Sequence, residues 1–114
     1  MNQYIQIMES YEVNKKATED MLKNNGFNRN GIFKCFVYKD ILQLIVKVDV
    51  ENLWWDYQVF NTNTQLIYPP YYNKDSGVHR EVEEAEIKIK EIIKHLLKAK
   101  ILKKAGNKNE KVKS

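Results

Sequence analysis

Aliphatic residues occupy every second position from Leu42 to Val50, and three of the four residues between them are polar. A period of two is typical of a β-strand that turns one face to the core. The inward set of this strand comprises Leu42, Leu44, Val46, Val48 and Val50. Segments 32–38 and 53–60 on either side are rich in β-branched and aromatic residues, and short connections join them to it. The pattern predicts a three-stranded antiparallel meander, with a brief fourth strand over residues 64–68.

A stripe of apolar residues at helical spacing runs through residues 82–96. Its members are Val82, Ala85, Ile89, Ile92, Ile93 and Leu96. Glutamates precede the middle of this segment and lysines follow it, which complements the dipole of a helix. We predict a long C-terminal helix that Asp75 or Ser76 caps and that fades near Ala105.

The N-terminal segment carries a second helical stripe. Apolar residues recur on one face over residues 3–24, and Asn24-Asn25-Gly26 supplies a left-handed stop signal. We predict one amphipathic helix over residues 3–24. The alternative is a short strand over residues 3–9, with the helix beginning only after Asn14.

These elements predict an α+β fold. It has an N-terminal helix, a three- to four-stranded antiparallel meander and a long C-terminal helix. Two layers are expected, because packing both helices on one face of the sheet buries both stripes. With 114 residues the chain is long enough for one hydrophobic core. We predict a single domain over residues 1–105 and a disordered Lys-rich tail over residues 106–114.

The positive charge is concentrated near the C-terminus. Residues 98–114 hold seven Lys and one Glu, whereas residues 1–97 hold twelve Lys or Arg against fourteen Asp or Glu. The net charge of +4 is therefore a property of the tail. Only two of the nineteen cationic residues are Arg, the residue that makes most bidentate contacts with bases and phosphates. This composition disfavours specific recognition of nucleic acid.

The chain carries no sign of a membrane or secretory protein. No window approaches the roughly 18 uncharged apolar residues that a membrane span needs. The N-terminal residues lack the basic stretch, long apolar run and cleavage site of a secretory signal. Cys35 is the single cysteine, so no internal disulfide can form. We predict a cytoplasmic protein without membrane contact.

The sequence offers no recognisable catalytic constellation. His79 and His95 match no metal-ligand or catalytic spacing, and Cys35 has no neighbouring base to activate it. The four glycines are isolated, so no phosphate-binding loop is present. We predict no enzyme activity, no cofactor and no metal. An enzyme would need His79, His95 and an acid such as Asp56 or Glu91 to converge in a pocket.

The order of helix, three strands and helix resembles the double-stranded-RNA-binding domain. That family places a Lys-rich motif at the start of its last helix, where this chain reads HREVEEAEIKIK and carries four glutamates. Glutamates at this position would repel a phosphate backbone. The resemblance covers topology alone, so it implies no specific RNA binding. Weak, salt-dependent binding of nucleic acid through the tail is the alternative, and its candidate residues are Lys100, Lys103, Lys104 and Lys108.

Adjacent tryptophans give the clearest indication of a binding surface. Trp54 and Trp55 lie in one predicted strand, so their side chains point to opposite faces of the sheet. The face away from the helices then carries apolar and aromatic residues, and a large exposed apolar patch usually marks an interface. We predict that a partner contacts Ile41, Ile45, Lys47, Trp54, Gln58 and Phe60.

Two features of this surface stay open. The first strand contributes to it either Phe33, Cys35 and Val37 or Ile32, Lys34, Phe36 and Tyr38. One of the helices can also cross to cover the face, which would give a three-layer monomer instead of a docking surface.

Both prolines of the chain lie in Pro69-Pro70-Tyr71-Tyr72, which matches the PPxY motif that WW-type modules bind. A working ligand needs an accessible polyproline-like segment. This one follows strand residues directly and precedes a helix closely, so we interpret it as a corner between sheet and helix.

We therefore predict a small non-enzymatic protein that binds another protein, or a second copy of itself, through the aromatic face of its sheet. Its size and its Lys-, Asn- and Ile-rich composition are those of many accessory proteins of bacteria, phages and mobile elements. The alternative is an accessory protein that binds nucleic acid through its Lys-rich tail, with the aromatic face stacking on unpaired bases.

Overall fold

The antiparallel sheet predicted from the alternating residues is the centre of the fold. The computed structural model describes residues 3–73 and 80–106. Its helices are Gln3–Ser10 (α1), Glu19–Asn24 (α2), Pro69–Tyr72 (α3) and Arg80–Lys98 (α4). Its strands are Tyr11–Val13 (β1), Ile32–Val37 (β2), Leu42–Asp49 (β3), Trp54–Asn61 (β4), Leu66–Ile67 (β5) and Leu102–Lys104 (β6). The predicted α+β class, with an N-terminal helix, an antiparallel sheet and a long C-terminal helix, is confirmed.

Strands β2, β3, β4 and β5 form one sheet in that order, and each neighbouring pair is antiparallel. The inner face of the sheet is the one that carries the fully buried Leu42, Leu44 and Val46 of β3. A fully buried aliphatic side chain stabilises a fold by about 1.5–3 kcal/mol, so β3 anchors the core. Cys35 pairs with Leu44. This register settles the orientation of β2, because it places Cys35 on the inner face and its neighbour Phe36 on the outer face.

The described helices that contact the sheet lie on its inner face. Helix α4 buries the predicted stripe there, with Ala85, Ile89, Ile93 and Leu96 almost inaccessible to solvent. The ring of Tyr4 in α1 lies 5.2 Å from the ring of Tyr57, and Phe27 after α2 lies 5.7 Å from Phe33. The described part of the chain therefore has two layers, as predicted.

The prediction of one helix over residues 3–24 is wrong, because this segment breaks into α1, β1 and α2. The alternative of a strand over residues 3–9 is also wrong, since those residues are helical. Strand β1 pairs with β6, and the Asn14 N–H donates to the Ile101 carbonyl over 2.8 Å. Helix α2 then starts at its own cap, where Thr18 Oγ1 accepts the Met21 N–H over 3.2 Å. A pairing with the far end of the chain thus overrides the local helical pattern.

The C-terminal helix ends earlier than predicted and is followed by a strand that the sequence pattern did not indicate. Lys100 adopts a left-handed conformation (φ 64°), and the Ile101 N–H donates to the Leu96 carbonyl, as in a Schellman cap. The chain then forms β6, in which Leu102 is buried beside Ile101. The predicted caps Asp75 and Ser76 and tail residues 107–114 lie outside the described residues.

Pro69-Pro70-Tyr71-Tyr72 forms the one-turn helix α3 at the corner between β5 and α4. Tyr71 is buried, and its hydroxyl shares a 2.7 Å hydrogen bond with that of Tyr57. The Tyr72 hydroxyl accepts the Val59 N–H over 3.1 Å. Both tyrosines of the motif are thus engaged in the fold, and the interpretation as a corner is confirmed.

Candidate docking surface

The outer face of the sheet is the side opposite the helices. Alternation along each strand places twelve residues on it, namely Ile32, Lys34, Phe36, Gln43, Ile45, Lys47, Asp49, Trp54, Asp56, Gln58, Phe60 and Ile67. Ile41, just before β3, continues the same alternation. All six predicted partner-binding residues therefore lie on or beside this face.

An apolar row crosses the outer face from one edge to the other. Phe36 pairs with Gln43, Gln43 with Phe60, and Phe60 with Ile67, so the row spans all four strands. Phe36 is 53% exposed and Ile67 is 45% exposed. These values are high for large apolar side chains, and no described element packs over them. We call Phe36, Gln43, Phe60 and Ile67 the cross-sheet row.

Ile41 and Ile45 flank Gln43 along the direction of β3, so they widen the cross-sheet row into a patch. Ile41 is 44% exposed, and Ile45 is partly buried. The sequence pattern did not single out Phe36 or Ile67. Assigning Phe36 required the register of β2, and β5 is too short to show a period.

Trp54 lies at the other end of β4 from the cross-sheet row. Six positions along a strand separate it from Phe60, about 20 Å at 3.3–3.4 Å per residue. Its indole is 48% exposed, and the Lys47 ammonium lies 5.9 Å from the ring centroid. The outer face thus presents two contact regions, one around Phe60 and one formed by Trp54 with Lys47, instead of one patch centred on both aromatics.

Asp56 lies between these regions, but its carboxylate is bent toward the edge of β4. One of its oxygens, Oδ1, accepts the Tyr4 hydroxyl over 2.6 Å and the Tyr57 N–H over 2.8 Å. Burial, together with this hydrogen bond, raises the pKa of the Tyr4 hydroxyl well above its ordinary value. With Asp56 engaged at the edge, the outer face has two exposed lysines, Lys34 and Lys47, and one further carboxylate, the partly exposed Asp49 beside Trp54.

A cluster of tyrosines lies beneath this edge, on the inner side of the sheet. The Tyr57 ring lies 5.2 Å from that of Tyr4 and 6.1 Å from that of Tyr71, and Tyr72 contacts both Tyr4 and Tyr71. Burial raises the pKa of Tyr57 and Tyr71 far above the ordinary value, so both stay neutral at physiological pH. Neutral hydroxyls bonded to each other are a packing arrangement and supply no activated nucleophile.

The residues considered for catalysis are dispersed within the described part of the chain. His95 Nε2 lies 2.7 Å from Asn25 Oδ1, and Glu91 forms an exposed ion pair with Lys88 at 3.7 Å. Burial raises the pKa of the Cys35 thiol, which disfavours the thiolate. Residues 3–73 and 80–106 contain no group of three or more His, Cys, Asp or Glu able to hold a metal ion. His79 lies outside the described residues.

Three lysines of the nucleic-acid alternative, Lys100, Lys103 and Lys104, are in the described part of the chain and lie on the inner side of the sheet. Strand β6 pairs with β1, where the Tyr11 carbonyl accepts the indole N–H of the inward-facing Trp55 over 3.0 Å. Lys103 pairs with Glu12 at 3.3 Å, whereas Lys100 and Lys104 are exposed. Lys108 lies outside the described residues. The lysines of β6 and the aromatic side chains of the outer face thus lie on different sides of the sheet.

Among the described residues, no helix combines the length and the apolar composition that crossing a bilayer requires.

Comparison with solved structures shows a similar fold. A crystal structure of a DUF1831 family protein from Lactobacillus plantarum superposes with a TM-score of 0.60, and the match covers 83% of this chain and 86% of that one. Sequence identity over the match is 15%, so the likeness extends to the fold alone. No protein-family profile matches the chain. Among curated proteins, none matches it either.

Proposed function

We propose that this chain is a small non-enzymatic accessory protein of a bacterium, phage or mobile element, acting in the cytoplasm by binding another protein through the outer face of its sheet. The observation that carries the proposal is the cross-sheet row. Phe36 and Ile67 are about half exposed on this face, whereas the helices already cover the inner face of the sheet. Monomeric proteins rarely leave such a patch without a partner.

The residues of the outer face indicate what kind of surface a partner would present. Aromatic residues, Phe among them, are enriched in protein interfaces, and Phe60 lies beside Gln43 in the row. Lys34 lies beside the row, two residues from Phe36, and Lys47 lies farther along β3, so both supply positive charge on one side of the row, with Asp49 beyond them. A complementary partner presents an apolar surface with acidic residues on one side of it, because matched charges set orientation and speed association.

Two substitutions test the proposal once a partner has been captured from the host and purified. Phe60→Ala removes the central ring of the row and should weaken binding by at least about 2 kcal/mol, roughly 30-fold in dissociation constant. Trp54→Ala should weaken binding less, because Trp54 lies outside the row. Affinity is measured by titration calorimetry, and folding of each variant is checked by circular dichroism and thermal unfolding.

Ile87→Ala is the matched control. Ile87 is 58% exposed on α4, away from the sheet, so its removal should leave affinity unchanged. Equal losses for Phe60→Ala and Ile87→Ala would contradict the proposal, as would wild-type affinity in both variants of the outer face. Unfolding of Phe60→Ala would assign that ring to the core instead.

Nucleic acid is the second candidate ligand, because exposed aromatic rings with lysines on one sheet face also stack unpaired bases. A chain ending at Gly106, which lacks Lys108, Lys111 and Lys113, separates the two candidates. Protein binding should survive this truncation and depend weakly on salt. Binding of a single-stranded oligonucleotide that is strongly salt-dependent and falls with truncation or with Phe60→Ala would favour nucleic acid instead.

A further inference from the structure

The two edges of the four-stranded sheet are treated differently by the fold. Along the outer edge of β4, the N–H of Tyr57 donates to Asp56, the N–H of Val59 donates to the Tyr72 hydroxyl, and the Val59 carbonyl accepts the Tyr68 N–H. Side chains and the residues that follow β5 thus bind backbone groups along the middle of this edge. The other edge is β2, and no described strand or side chain covers its middle.

The alternation of hydrogen bonds along β2 shows which of its backbone N–H and C=O groups do not bond to β3. The Val48 N–H donates to the Gly31 carbonyl, so alternate residues from Gly31 bond to β3 and those between them point away. Ile32 points away, but Asn28 binds both its N–H and its carbonyl. The N–H and C=O groups of Lys34 and Phe36 remain, with no hydrogen-bond partner among the described residues.

We propose that two copies of this chain pair through their β2 edges, antiparallel about a twofold axis at Cys35, and join their sheets into one of eight strands. The pairing uses the backbone groups of the β2 edge and not the side chains of the outer face, so the inference does not rest on the proposed function, although Lys34 and Phe36 belong to both surfaces. In the proposed register, Lys34 of one copy lies opposite Phe36 of the other. Four hydrogen bonds then form, and they use every free group of both edges.

The register that places Lys34 opposite Lys34 satisfies the edges less well. Pairing Lys34 with Lys34 of the second copy places like charges directly opposite each other, which is destabilising. It also places Phe36 opposite Ile32, whose backbone groups are already bound by Asn28. In the proposed register the stem of each Lys34 instead packs beside an exposed Phe36 ring, and its ammonium can contact the ring face.

The helix side of the same edge also suits a second copy. An open groove of about 280 Å³ runs beside β2 there. Apolar side chains form much of its wall, including Phe27, Phe33, Ile92 and Leu96. Lys88 and Glu91 supply one charge of each sign in that wall, so bringing two grooves together adds no net like charge. Closing the groove removes apolar surface from water, which favours association.

Substitutions at Lys34 test the edge without altering the core. Light scattering of the wild-type protein should give twice the chain mass of 13.6 kDa. Lys34→Pro removes an N–H that points away from β3, a position at which an edge strand tolerates proline, so the variant should fold but run as a monomer. Lys34→Ala keeps the backbone groups and should stay dimeric.

Cys35 reports the register independently. It lies opposite its own copy at a non-hydrogen-bonded position, where Cα atoms are about 4.5 Å apart, within disulfide range. Oxidation with diamide should therefore give a covalent dimer, which a reductant reverses. The variant with Lys34→Cys and Cys35→Ser should cross-link far less. In the proposed register position 34 of one copy lies opposite position 36 of the other, so the two thiols of this variant do not face each other.

Three outcomes would overturn the proposal. They are a monomeric wild-type protein at all concentrations, a dimer that Lys34→Pro leaves intact, and stronger cross-linking at position 34 than at position 35. If Lys34→Pro does not fold, the comparison of the two cysteine positions decides.

Discussion

Tyr57 and Tyr71 place a polar contact inside an apolar core. Their hydroxyls lie 2.7 Å apart, and both side chains are almost inaccessible to solvent. Each hydroxyl is the partner that makes burial of the other tolerable, because an unpaired buried hydroxyl keeps its full desolvation cost. The pair also joins α3 to β4, which explains why the tyrosines of the PPxY-like segment are engaged in the fold.

A double-mutant cycle should reveal this dependence. Tyr57→Phe leaves the Tyr71 hydroxyl buried without its partner and should lower the free energy of unfolding by about 1–3 kcal/mol. Tyr57→Phe combined with Tyr71→Phe should cost less than the sum of the two single changes. Urea unfolding followed by circular dichroism measures all four proteins. Additive single effects would show that the hydroxyls are not coupled.

At the scale of single residues, the candidate site was partly predictable. The opposite orientation of Trp54 and Trp55 follows from adjacency in a strand, and the structure agrees, with Trp55 buried and Trp54 half exposed. Phe36 was not assignable, because either set of residues in β2 satisfied the pattern. The Cys35–Leu44 register decided between them, and register depends on long-range packing instead of local sequence.

Among the elements, β3 was the most predictable and β1 with β6 the least. In a strand of eight residues with one buried face, apolar and polar residues alternate over enough positions to be recognised in the sequence. Strands of three residues have no measurable period, and β1 and β6 exist only through their pairing with each other. The same pairing interrupts the N-terminal helix. The pairing of β1 with β6 therefore accounts for both wrong predictions, the single helix over residues 3–24 and the C-terminal helix that continues to Ala105.

The turn into β2 depends on a glycine. Gly31 has φ 75°, and a Cβ there would lie 2.3 Å from the Val48 carbonyl oxygen. Gly31→Ala should therefore destabilise the protein by more than about 1–2 kcal/mol, since the left-handed conformation alone costs that much and the contact adds to it. Thermal and urea unfolding measure the change.

Gly106→Ala is the control for this substitution. A Cβ at Gly106 meets no atom within 4 Å. Its effect on stability should stay within about 0.5 kcal/mol. A Gly31→Ala variant as stable as Gly106→Ala would show that the turn can relax around a side chain.

For the whole molecule, the tyrosine cluster makes stability sensitive to alkali. Burial raises the pKa of Tyr57, Tyr71, Tyr4 and Tyr72, and burial with a hydrogen bond to Glu81 raises the pKa of Tyr68 to about 12. A folded-state pKa above the unfolded value contributes stability that is fully present below the unfolded pKa and is lost as pH rises through the folded pKa.

The urea midpoint should therefore hold steady up to about pH 9 and fall between about pH 10 and pH 12, as tyrosines ionise more readily in the unfolded chain. The variant with Tyr57→Phe and Tyr71→Phe is the control, because it lacks the two most buried phenols. Its midpoint should fall less steeply over the same range. An identical decline in both proteins would assign the alkaline loss to other groups, such as lysines.

Binding through the outer face and pairing through β2 are compatible with each other in one dimer. Pairing through β2 would place two outer faces side by side, with the cross-sheet row of each copy ending at the shared edge. A partner with two matching sites would then bind with avidity, whereas a partner with one site would bind each face independently. The ratio of bound partner to dimer, read from calorimetry, distinguishes these cases.

The ribbon of β1 and β6 also has a consequence for biosynthesis. During translation β1 leaves the ribosome about 90 residues before β6 does, so the nascent polypeptide lacks the partner of its first strand for most of its synthesis. The pairing of Tyr11 and Val13 with Lys104 and Leu102 forms only after β6 has been synthesised. Pairing of β1 with β6 is therefore a late event in synthesis. Chaperones that bind unpaired strands would have the longest time to act on the N-terminal segment of the nascent chain.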